Sequence, residues 1–327
     1  MDNKNIEKMS IKDLKNSKIY QKLSQNCKSS KLTKIELIKL LKDECNNDTA
    51  NNRNQPYNIL YDINDFDLDN RIEIGEGASS TVYLVKNEKD KKKYILKKVH
   101  KSKSELVIEE MDILNKVSSS CRKYFLCYNG YAYNRKYIFL ITDFIPKSEA
   151  LSDYLEKKGN KLTTLMKLFI IKQIVQGFIE LHKQNVVHMD IKPANILITK
   201  NLDIKIIDYG FSCIKANKLC YKKIKGTPYF ISPEVINEKV HNFEIARATD
   251  IWSIGITIYY IFNDKYPWYD RLSREELINK IRNLKKSIKS NTFGNIINPM
   301  LDLNPQSRLK NFQSVLNEIN KEINNRK

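Results

Sequence analysis

The sequence lacks a long hydrophobic run. No apolar stretch approaches the roughly 18 to 20 residues that a membrane-spanning helix needs, and the N-terminus, Met1 to Ser10, is polar rather than signal-like. These absences argue against a membrane-embedded or a secreted protein. We therefore expect a monomeric protein of the cytoplasm with no membrane partner, and access to the nucleus stays open.

Paired cysteines are also missing. No two of the six cysteines form a C-x-x-C pair, so neither a zinc site nor a disulfide framework is predicted. Thiols inside cells are normally reduced. We therefore expect every cysteine to be an unbonded thiol: Cys27, Cys45, Cys121, Cys127, Cys213 and Cys220.

Acidic residues are in deficit. Lys and Arg number 57 against 38 Asp and Glu, which gives a net charge of +19. Residues 1–60 hold twelve basic and seven acidic side chains, so most of the excess lies in the rest of the chain and is no detachable basic tail. A generally Lys-, Asn- and Ile-rich composition accounts for the charge, and nucleic-acid binding by the basic surface is the alternative.

The length and composition are those of a globular protein. With 327 residues, 41% of them hydrophobic and 29% charged, the chain can bury a sizeable core in one large domain or in two lobes. We interpret residues 1–45 as a basic N-terminal region with a short amphipathic helix at 30–43. Residues 46–63 are interpreted as an asparagine-rich linker and residues 64–327 as the folded domain.

Two β-like segments with a glycine turn between them lie near the start of this domain. Arg71 to Lys86 alternates in polarity on either side of the small residues from Gly75 to Ser80, which predicts a hairpin. Glycines at such a turn let backbone N–H groups approach phosphate oxygens. A dinucleotide-binding fold would need a helix after the turn. Because Thr81 to Val85 continues as a strand, the pattern argues against that fold.

A lysine and a glutamate follow on a predicted strand and a predicted helix. Lys93 to Val99 alternates as a strand that carries Lys97, and a helix from Ser104 to Val117 places Glu110 among its apolar residues. A carboxylate on an apolar stripe is costly unless it is paired. We therefore predict an ion pair between Lys97 and Glu110, with Glu109 as the fallback partner.

The densest group of polar side chains lies between two apolar runs, in the stretch Val186 to Leu197. Here Asp190 is suited to accept the proton of an attacking hydroxyl, Lys192 to neutralise a moving phosphoryl group, and Asn195 to offer its carbonyl oxygen to a hard cation such as Mg²⁺. This pattern is typical of a catalytic loop for phosphoryl transfer. A polar turn in an unrelated α/β domain is the alternative.

From about residue 64 to its C-terminus the chain resembles the eukaryotic-type protein kinase family. The motifs occur in the family's order: Gly75-x-Gly77-x-x-Ser80-x-Val82 for the glycine-rich loop, Lys97 and Glu110 for the strand lysine and helix glutamate, His188-Met189-Asp190-x-Lys192-x-x-Asn195 for the catalytic loop, Asp208-Tyr209-Gly210 for D-F-G, Ser232-Pro233-Glu234 for A-P-E, Asp250 to Gly255 for the central helix of the large lobe, and Asn304 to Arg308 for the segment whose arginine pairs with Glu234. The resemblance implies an α+β, two-lobed kinase fold. Its N-lobe would be small and mostly β with one helix, at about residues 64–142, and its C-lobe larger and mostly α, at about residues 147–325.

The resemblance also implies a site for ATP and Mg²⁺, with Mn²⁺ as an alternative metal. Asp190 and Lys192 would be the catalytic residues, and Asn195 and Asp208 would hold the metal. Thr142 falls at the gatekeeper position behind the adenine. The nucleotide-binding residues that the resemblance implies are Ile74, Gly75, Gly77, Val82, Lys97, Glu110, Asp143, Ile145 and Leu197.

Two segments resemble the serine/threonine branch of the family. They are Lys192 and the run Gly226 to Tyr229 ahead of Ser232-Pro233-Glu234. The implied partners are proteins with serine or threonine hydroxyls. The alternative is a pseudokinase or scaffold that binds partners through the same fold, although the catalytic lysine, aspartates and asparagine are all present.

One departure from the family concerns regulation. Met189 stands where the family has an arginine that clamps a phosphorylated activation loop, a contact that methionine is unable to make. Between Gly210 and Gly226 the hydroxyl-bearing residues are Ser212 and Tyr221. We therefore expect an enzyme that is active without activation-loop phosphorylation.

Two further departures concern packing. Tyr209 replaces the phenylalanine of D-F-G and adds a hydroxyl that needs a hydrogen-bond partner if it is buried. Ile95 replaces a residue that is usually small, and its bulk would crowd the adenine.

Overall fold

The computed structural model describes residues 59–77, 80–118, 121, 123–216, 226–268 and 272–326. The predicted helix at 30–43 lies outside the described residues, as does the whole basic region 1–45. The division of the chain into a basic region, a linker and a domain stays a prediction.

The described elements follow the predicted change from strands to helices. The strands are β1 (Ile59–Leu60), β2 (Ile72–Glu76), β3 (Ser80–Lys86), β4 (Lys93–His100), β5 (Tyr128–Tyr133), β6 (Tyr137–Asp143), β7 (Ser148–Ala150), β8 (Val186–Val187), β9 (Ile196–Thr199), β10 (Ile204–Ile206) and β11 (Cys213–Ile214). The helices are α1 (Ser104–Ser118), α2 (Leu151–Lys158), α3 (Thr164–Lys183), α4 (Pro233–Ile236), α5 (Phe243–Asn263), α6 (Arg274–Arg282), α7 (Gly294–Ile297) and α8 (Pro305–Asn324).

A six-stranded sheet forms the small lobe, in the order β1-β5-β6-β4-β3-β2. Strands β2 to β6 pair with one another antiparallel, with Val82 opposite Lys97 and Lys97 opposite Leu140. The predicted strand and helix that carry Lys97 and Glu110 are β4 and α1. Helix α1 packs against β4, β5 and β6, so this helix carries Glu110 to the sheet.

The outer face of the sheet has a small core of its own. Tyr83 and Leu96, which are opposite each other in register, are covered by Ile63 and Phe66 from the segment after β1. Phe66 is 4% exposed, and its ring meets Tyr94 edge-on with the centroids 5.9 Å apart. The segment ahead of β2 is therefore part of the packing of the small lobe.

Strand β1 enters the sheet from within the stretch that the sequence predicts as a linker. Ile59 pairs in parallel with Gly130, and Leu60 with Tyr131. Gly130 permits this close approach, because a Cβ at its position would lie 2.1 Å from the Ile59 carbonyl oxygen and its φ is +145°. Only a glycine in β5 leaves room for β1.

Gly130→Ala is expected to displace β1 and to lower the free energy of unfolding by about 1 to 3 kcal/mol, because the new Cβ collides with backbone and alanine is strained at this φ. Urea unfolding measures the loss, and limited proteolysis near residue 60 reports the displacement. Gly159→Ala is the matched control, since a Cβ there makes only ordinary contacts, the nearest at 3.5 Å. Equal losses in the two variants would contradict the expectation.

A disulfide joins Cys121 and Cys127 in the loop between α1 and β5, with their Cα atoms 4.8 Å apart. The expectation of unbonded thiols is therefore wrong at these positions, because the loop folds back and brings both residues within bonding range. It is also wrong at Cys213, which is disulfide-bonded as well. The loop also contacts the large lobe. The Tyr124 carbonyl accepts from the Ile206 N–H at 2.7 Å, and the Tyr124 hydroxyl donates to Gln176 at 2.9 Å.

The large lobe is built mainly of helices around one core. Helix α3 begins at Thr163, whose hydroxyl accepts from the Met166 N–H, and it packs against α5 and α8. Helix α5 is buried along most of its length, and its buried residues include the polar Thr249, Asp250, Ser253 and Thr257. Two small sheets, β10-β9-β7 and β11-β8, carry the chain on either side of the predicted catalytic loop.

The predicted α+β architecture with two lobes is confirmed. The small lobe combines the six-stranded sheet with α1, and the large lobe is mostly helical. Within the described ranges, no helix combines the length and the apolar character needed to cross a bilayer.

Candidate active site

Asp250 of α5 holds the base of the catalytic loop. Its side chain is fully buried and accepts the backbone N–H groups of His188 at 2.8 Å and of Met189 at 2.9 Å. The Nε2 atom of His182 lies 2.9 Å from the same carboxylate. Three contacts to one buried carboxylate fix the backbone immediately before Asp190, so Asp250 steadies the catalytic loop.

Asp190 is the centre of a hydrogen-bond network. Its Oδ1 atom accepts the backbone N–H and the hydroxyl of Thr227, both at 2.9 Å. Its Oδ2 atom lies 2.9 Å from Lys192 Nζ and 3.1 Å from Asn195 Nδ2. Lys192 Nζ also donates to the Thr227 hydroxyl at 2.7 Å. Asp190, Lys192 and Asn195, the three predicted residues of the loop, thus lie together. Contacts to both of its oxygens hold the Asp190 carboxylate in one orientation, as a general base needs.

Lys97 joins the two lobes. Its Nζ atom lies 2.7 Å from Glu110 Oε1 and 2.9 Å from Asp208 Oδ1. Glu110 is buried, whereas Glu109 is exposed on the other side of α1. The predicted pair of Lys97 with Glu110 is therefore present, and the fallback partner is wrong.

Lys97 and Asp208 stabilise each other in the charged form, whereas burial raises the pKa of Glu110 in spite of the Lys97 charge. Burial works to lower the pKa of Lys97, but the carboxylates of Glu110 and Asp208 outweigh it and hold that pKa above its ordinary value. Burial likewise opposes ionisation of Asp208, yet the Lys97 charge and hydrogen bond hold the pKa of Asp208 below its usual range. Asp208 is therefore ionised at neutral pH, as a metal ligand must be.

Asn195 and Asp208 fit a hard cation. The Asn195 side-chain nitrogen donates to the Asp190 backbone carbonyl at 2.8 Å. The Asn195 backbone carbonyl accepts the Ile207 N–H at 3.0 Å, which brings Asn195 beside the segment that carries Asp208. No cluster of three or more His, Cys, Asp or Glu side chains in the described residues is arranged for a metal. An amide oxygen and a carboxylate suit Mg²⁺ or Mn²⁺ when phosphate oxygens complete the coordination.

The small-lobe residues implied in nucleotide binding lie around the glycine turn. Val82 is opposite Gly75 on β2 and opposite Lys97 on β4. The Gly77 N–H donates to the Ser80 carbonyl at 2.8 Å. Ile74 also lies on β2 and is 52% exposed. The remaining members lie where the lobes meet: Asp143 ends β6, Ile145 follows it, and Leu197 lies on β9 opposite Ala150. Their individual roles stay proposals.

The three departures from the family have clear positions. Met189 is 4% exposed and packs in the core of the large lobe. Tyr209 is also buried, and its hydroxyl donates to the Ile206 carbonyl at 3.2 Å, so the added hydroxyl has the partner that it needs. Ile95 lies opposite Thr142 in the sheet, beside the gatekeeper position.

A buried ion pair fixes the end of the segment that follows the catalytic loop. Arg308 Nη2 donates to Glu234 Oε1, and the Thr249 hydroxyl donates to the same oxygen at 3.2 Å. Arg308 is 0% exposed and its guanidinium lies over the Trp252 ring. The predicted pair is therefore present, and it ties α4 to the start of α8.

Sequence reasoning missed Thr227 as a neighbour of Asp190. The available signal was the glycine before it. Gly226 has a φ of +109°, and a Cβ there would lie 3.1 Å from the Met189 carbonyl oxygen. A residue without a side chain lets the chain at Gly226 approach the catalytic loop and presents Thr227 to Asp190.

Comparison with known proteins agrees with this arrangement. Residues 68–319 match the protein kinase domain family. The serine/threonine-protein kinase pakF of Dictyostelium discoideum is 30% identical over 216 residues, which cover 62% of this chain and 18% of pakF. A probable myosin light chain kinase of the same organism is 28% identical over 266 residues, which cover 77% of this chain and 82% of that protein. Myosin light chain kinase A, also from Dictyostelium discoideum, is 30% identical over 205 residues, which cover 60% of this chain and 66% of that protein.

The chain thus corresponds to less than a fifth of pakF and to most of the probable myosin light chain kinase. The family match, by contrast, runs over most of the chain and includes every element that carries the site. Taken with the assembled site, this match shows that the chain belongs to the protein kinase family.

Proposed function

We propose that this chain is a serine/threonine protein kinase that transfers the γ-phosphoryl group of ATP to serine or threonine hydroxyls of proteins. One observation carries the proposal. The ion pairs of Lys97 with Glu110 and Asp208 coexist with the network of Asp190, Lys192 and Thr227, so both lobes contribute to one assembled site. The cytoplasmic location and the monomeric state predicted above belong to this proposal.

Each residue has a role that follows from its contacts. Asn195 and Asp208 would hold Mg²⁺, which would neutralise phosphate charge in the transition state. Lys97, itself fixed by Glu110, would bind the inner phosphates. Asp190 would orient the substrate hydroxyl and accept its proton, and Lys192, tied to Thr227, would place a positive charge beside the transferred group.

The test is phosphoryl transfer from labelled Mg-ATP to a basic protein, an acidic protein and a myosin light chain, the last chosen because two relatives carry that name. We expect label on serine and threonine after acid hydrolysis, and none with Asp208→Asn, which removes a metal ligand. Label on tyrosine would contradict the serine/threonine assignment. No transfer by wild-type protein that still binds Mg-ATP would favour the pseudokinase alternative.

The proposal includes activity without activation-loop phosphorylation. Met189 puts a buried apolar side chain where a cation would be needed to clamp a phosphate. Ser212 is buried and its hydroxyl donates to the His188 carbonyl at 3.1 Å. A kinase acting on Ser212 would have to break this packing, which disfavours modification there. Tyr221 lies outside the described residues.

Phosphatase treatment is expected to leave kcat within about twofold of the untreated protein. Met189 is unable to bind a phosphate on the activation loop, so removing such a phosphate breaks no ion pair there. Activity is measured on protein whose dephosphorylation has been verified by mass spectrometry. Protein preincubated with Mg-ATP provides the comparison. A collapse of activity that an upstream kinase restores would overturn the expectation.

A further inference from the structure

Asp143 ends β6 and is the first residue of the hinge, the segment 143–145 between the small lobe and the large lobe. It is held at two points by β5 and the loop before it. Its backbone N–H donates to the Cys127 carbonyl at 3.0 Å. Its side-chain Oδ1 accepts from Asn129 Nδ2 at 2.7 Å. A hydrogen bond to a carboxylate at this distance is strong and directional. Both the backbone and the side chain of Asp143 are therefore oriented from outside the hinge.

Asn129 can make this contact because β5 contains a bulge. Tyr128 is opposite Thr142, but Gly130 is opposite Ile141, so Asn129 is an extra residue without a partner in the ladder. A bulge turns a side chain out of the alternation of the strand. Here it points the amide at the end of β6, where the sheet becomes the hinge.

The piece of chain that carries Asn129 is itself fixed. Cys127, two residues earlier, is bonded to Cys121. Lys205 Nζ donates to the Cys121 carbonyl at 3.3 Å and to the Lys123 carbonyl at 3.1 Å, which fastens the loop to the large lobe. The disulfide and the Lys205 contacts thus hold the backbone next to Asn129 in place. Its side chain is therefore directed at Asp143 from a fixed position.

We propose that Asn129 is a positioning residue for the nucleotide, which fixes the hinge backbone through Asp143. This inference rests on the proposed function and adds that the adenine edge would lie against the backbone of the hinge. Without the amide, the hinge samples more orientations, and fewer of them match the adenine. The apparent affinity for ATP falls in proportion to the fraction of molecules whose hinge is in the orientation that binds adenine. Asp190 and Lys192, which are proposed to act on the proton and the phosphoryl group, are not changed, so kcat is expected to stay the same.

The experiment measures KM for ATP, kcat and Mg-ATP affinity by calorimetry in the full chain. Asn129→Ala is expected to raise KM and the dissociation constant about 3- to 10-fold with kcat within about twofold. Asn129→Asp opposes two carboxylates and is expected to raise both more than tenfold, or about 1.4 kcal/mol. The hinge would meet the adenine through its backbone and not through the Asp143 side chain. The exchange Asn129→Asp with Asp143→Asn therefore restores the hydrogen bond in the reverse direction, and is expected to return both values to within about twofold of wild type.

Asn134→Ala is the matched control. Asn134 closes the turn between β5 and β6 by accepting the N–H groups of Lys136 and Tyr137, at the end of the hairpin away from the hinge. Equal effects of Asn134→Ala and Asn129→Ala, an unchanged KM in Asn129→Ala, or an exchange variant that stays as weak as Asn129→Asp would each overturn the positioning role. If wild-type protein binds no Mg-ATP, the proposed function fails together with this inference. If it binds Mg-ATP and only the Asn129 results are negative, this inference alone fails.

Discussion

Asp190→Asn is expected to lower kcat by about a thousandfold while leaving Mg-ATP affinity within about threefold. The amide keeps the size of the carboxylate and one acceptor oxygen for Thr227, so the loop keeps its shape. It is unable to take up a proton, and it offers no negative charge to Lys192. The residues proposed to hold the phosphates and the metal, Lys97 and Asp208, are untouched.

The measurement is single-turnover transfer together with calorimetric titration of Mg-ATP. Asp203→Asn is the control, because this carboxylate is exposed in the turn between β9 and β10 of the same lobe. It is expected to retain wild-type rates. Transfer by Asp190→Asn at the wild-type rate would show that the observed activity does not come from this site.

Arg308→Leu is expected to lower the free energy of unfolding of the large lobe by about 3 to 5 kcal/mol. The substitution removes the cation that Glu234 contacts in the interior and leaves a buried carboxylate without it. It also removes the guanidinium from the face of Trp252. Such a loss is a large part of the stability of an ordinary domain.

Tryptophan fluorescence during urea unfolding is a suitable probe, since the chain has two tryptophans, Trp252 and Trp268, and both belong to the core of the large lobe. Arg326→Leu serves as the control because its pair with Glu322 lies at the surface, and a loss of about 1 kcal/mol or less is expected. Replacing both Glu234 and Arg308 by leucine is expected to recover part of the loss, because no unpaired charge remains. A double variant less stable than Arg308→Leu would contradict this explanation.

The pairing of Lys97 with Glu110 was predictable because helices have a fixed period. That period places Glu110 on the apolar stripe of α1 and Glu109 off it, and the structure has the same arrangement. The pair of Glu234 with Arg308, and the grip of Asp250 on the catalytic loop, joined residues far apart in the chain. They were accessible only through motifs in the family's order.

The disulfide and the Asn129 contact were beyond such reasoning. The bond between Cys121 and Cys127 depends on how a loop closes, which neither spacing nor composition determines. The contact of Asn129 with Asp143 depends on the β-bulge in β5, and the hydrophobic periodicity of the sequence does not show where a bulge lies. Strand β1 was hidden for a similar reason: two residues are too few to show any alternation.

Gly130 and β1 also decide how the sheet ends. By pairing with β5, the two residues Ile59 and Leu60 cover backbone N–H and C=O groups that would otherwise form an open edge. A fragment that begins at residue 68, where the family match starts, loses this cover. Uncovered strand edges pair with other chains, so such a fragment is expected to self-associate. The residues ahead of the kinase motifs are therefore expected to protect this part of the sheet edge from pairing with other chains, and size-exclusion chromatography of the shortened fragment beside the full chain checks this.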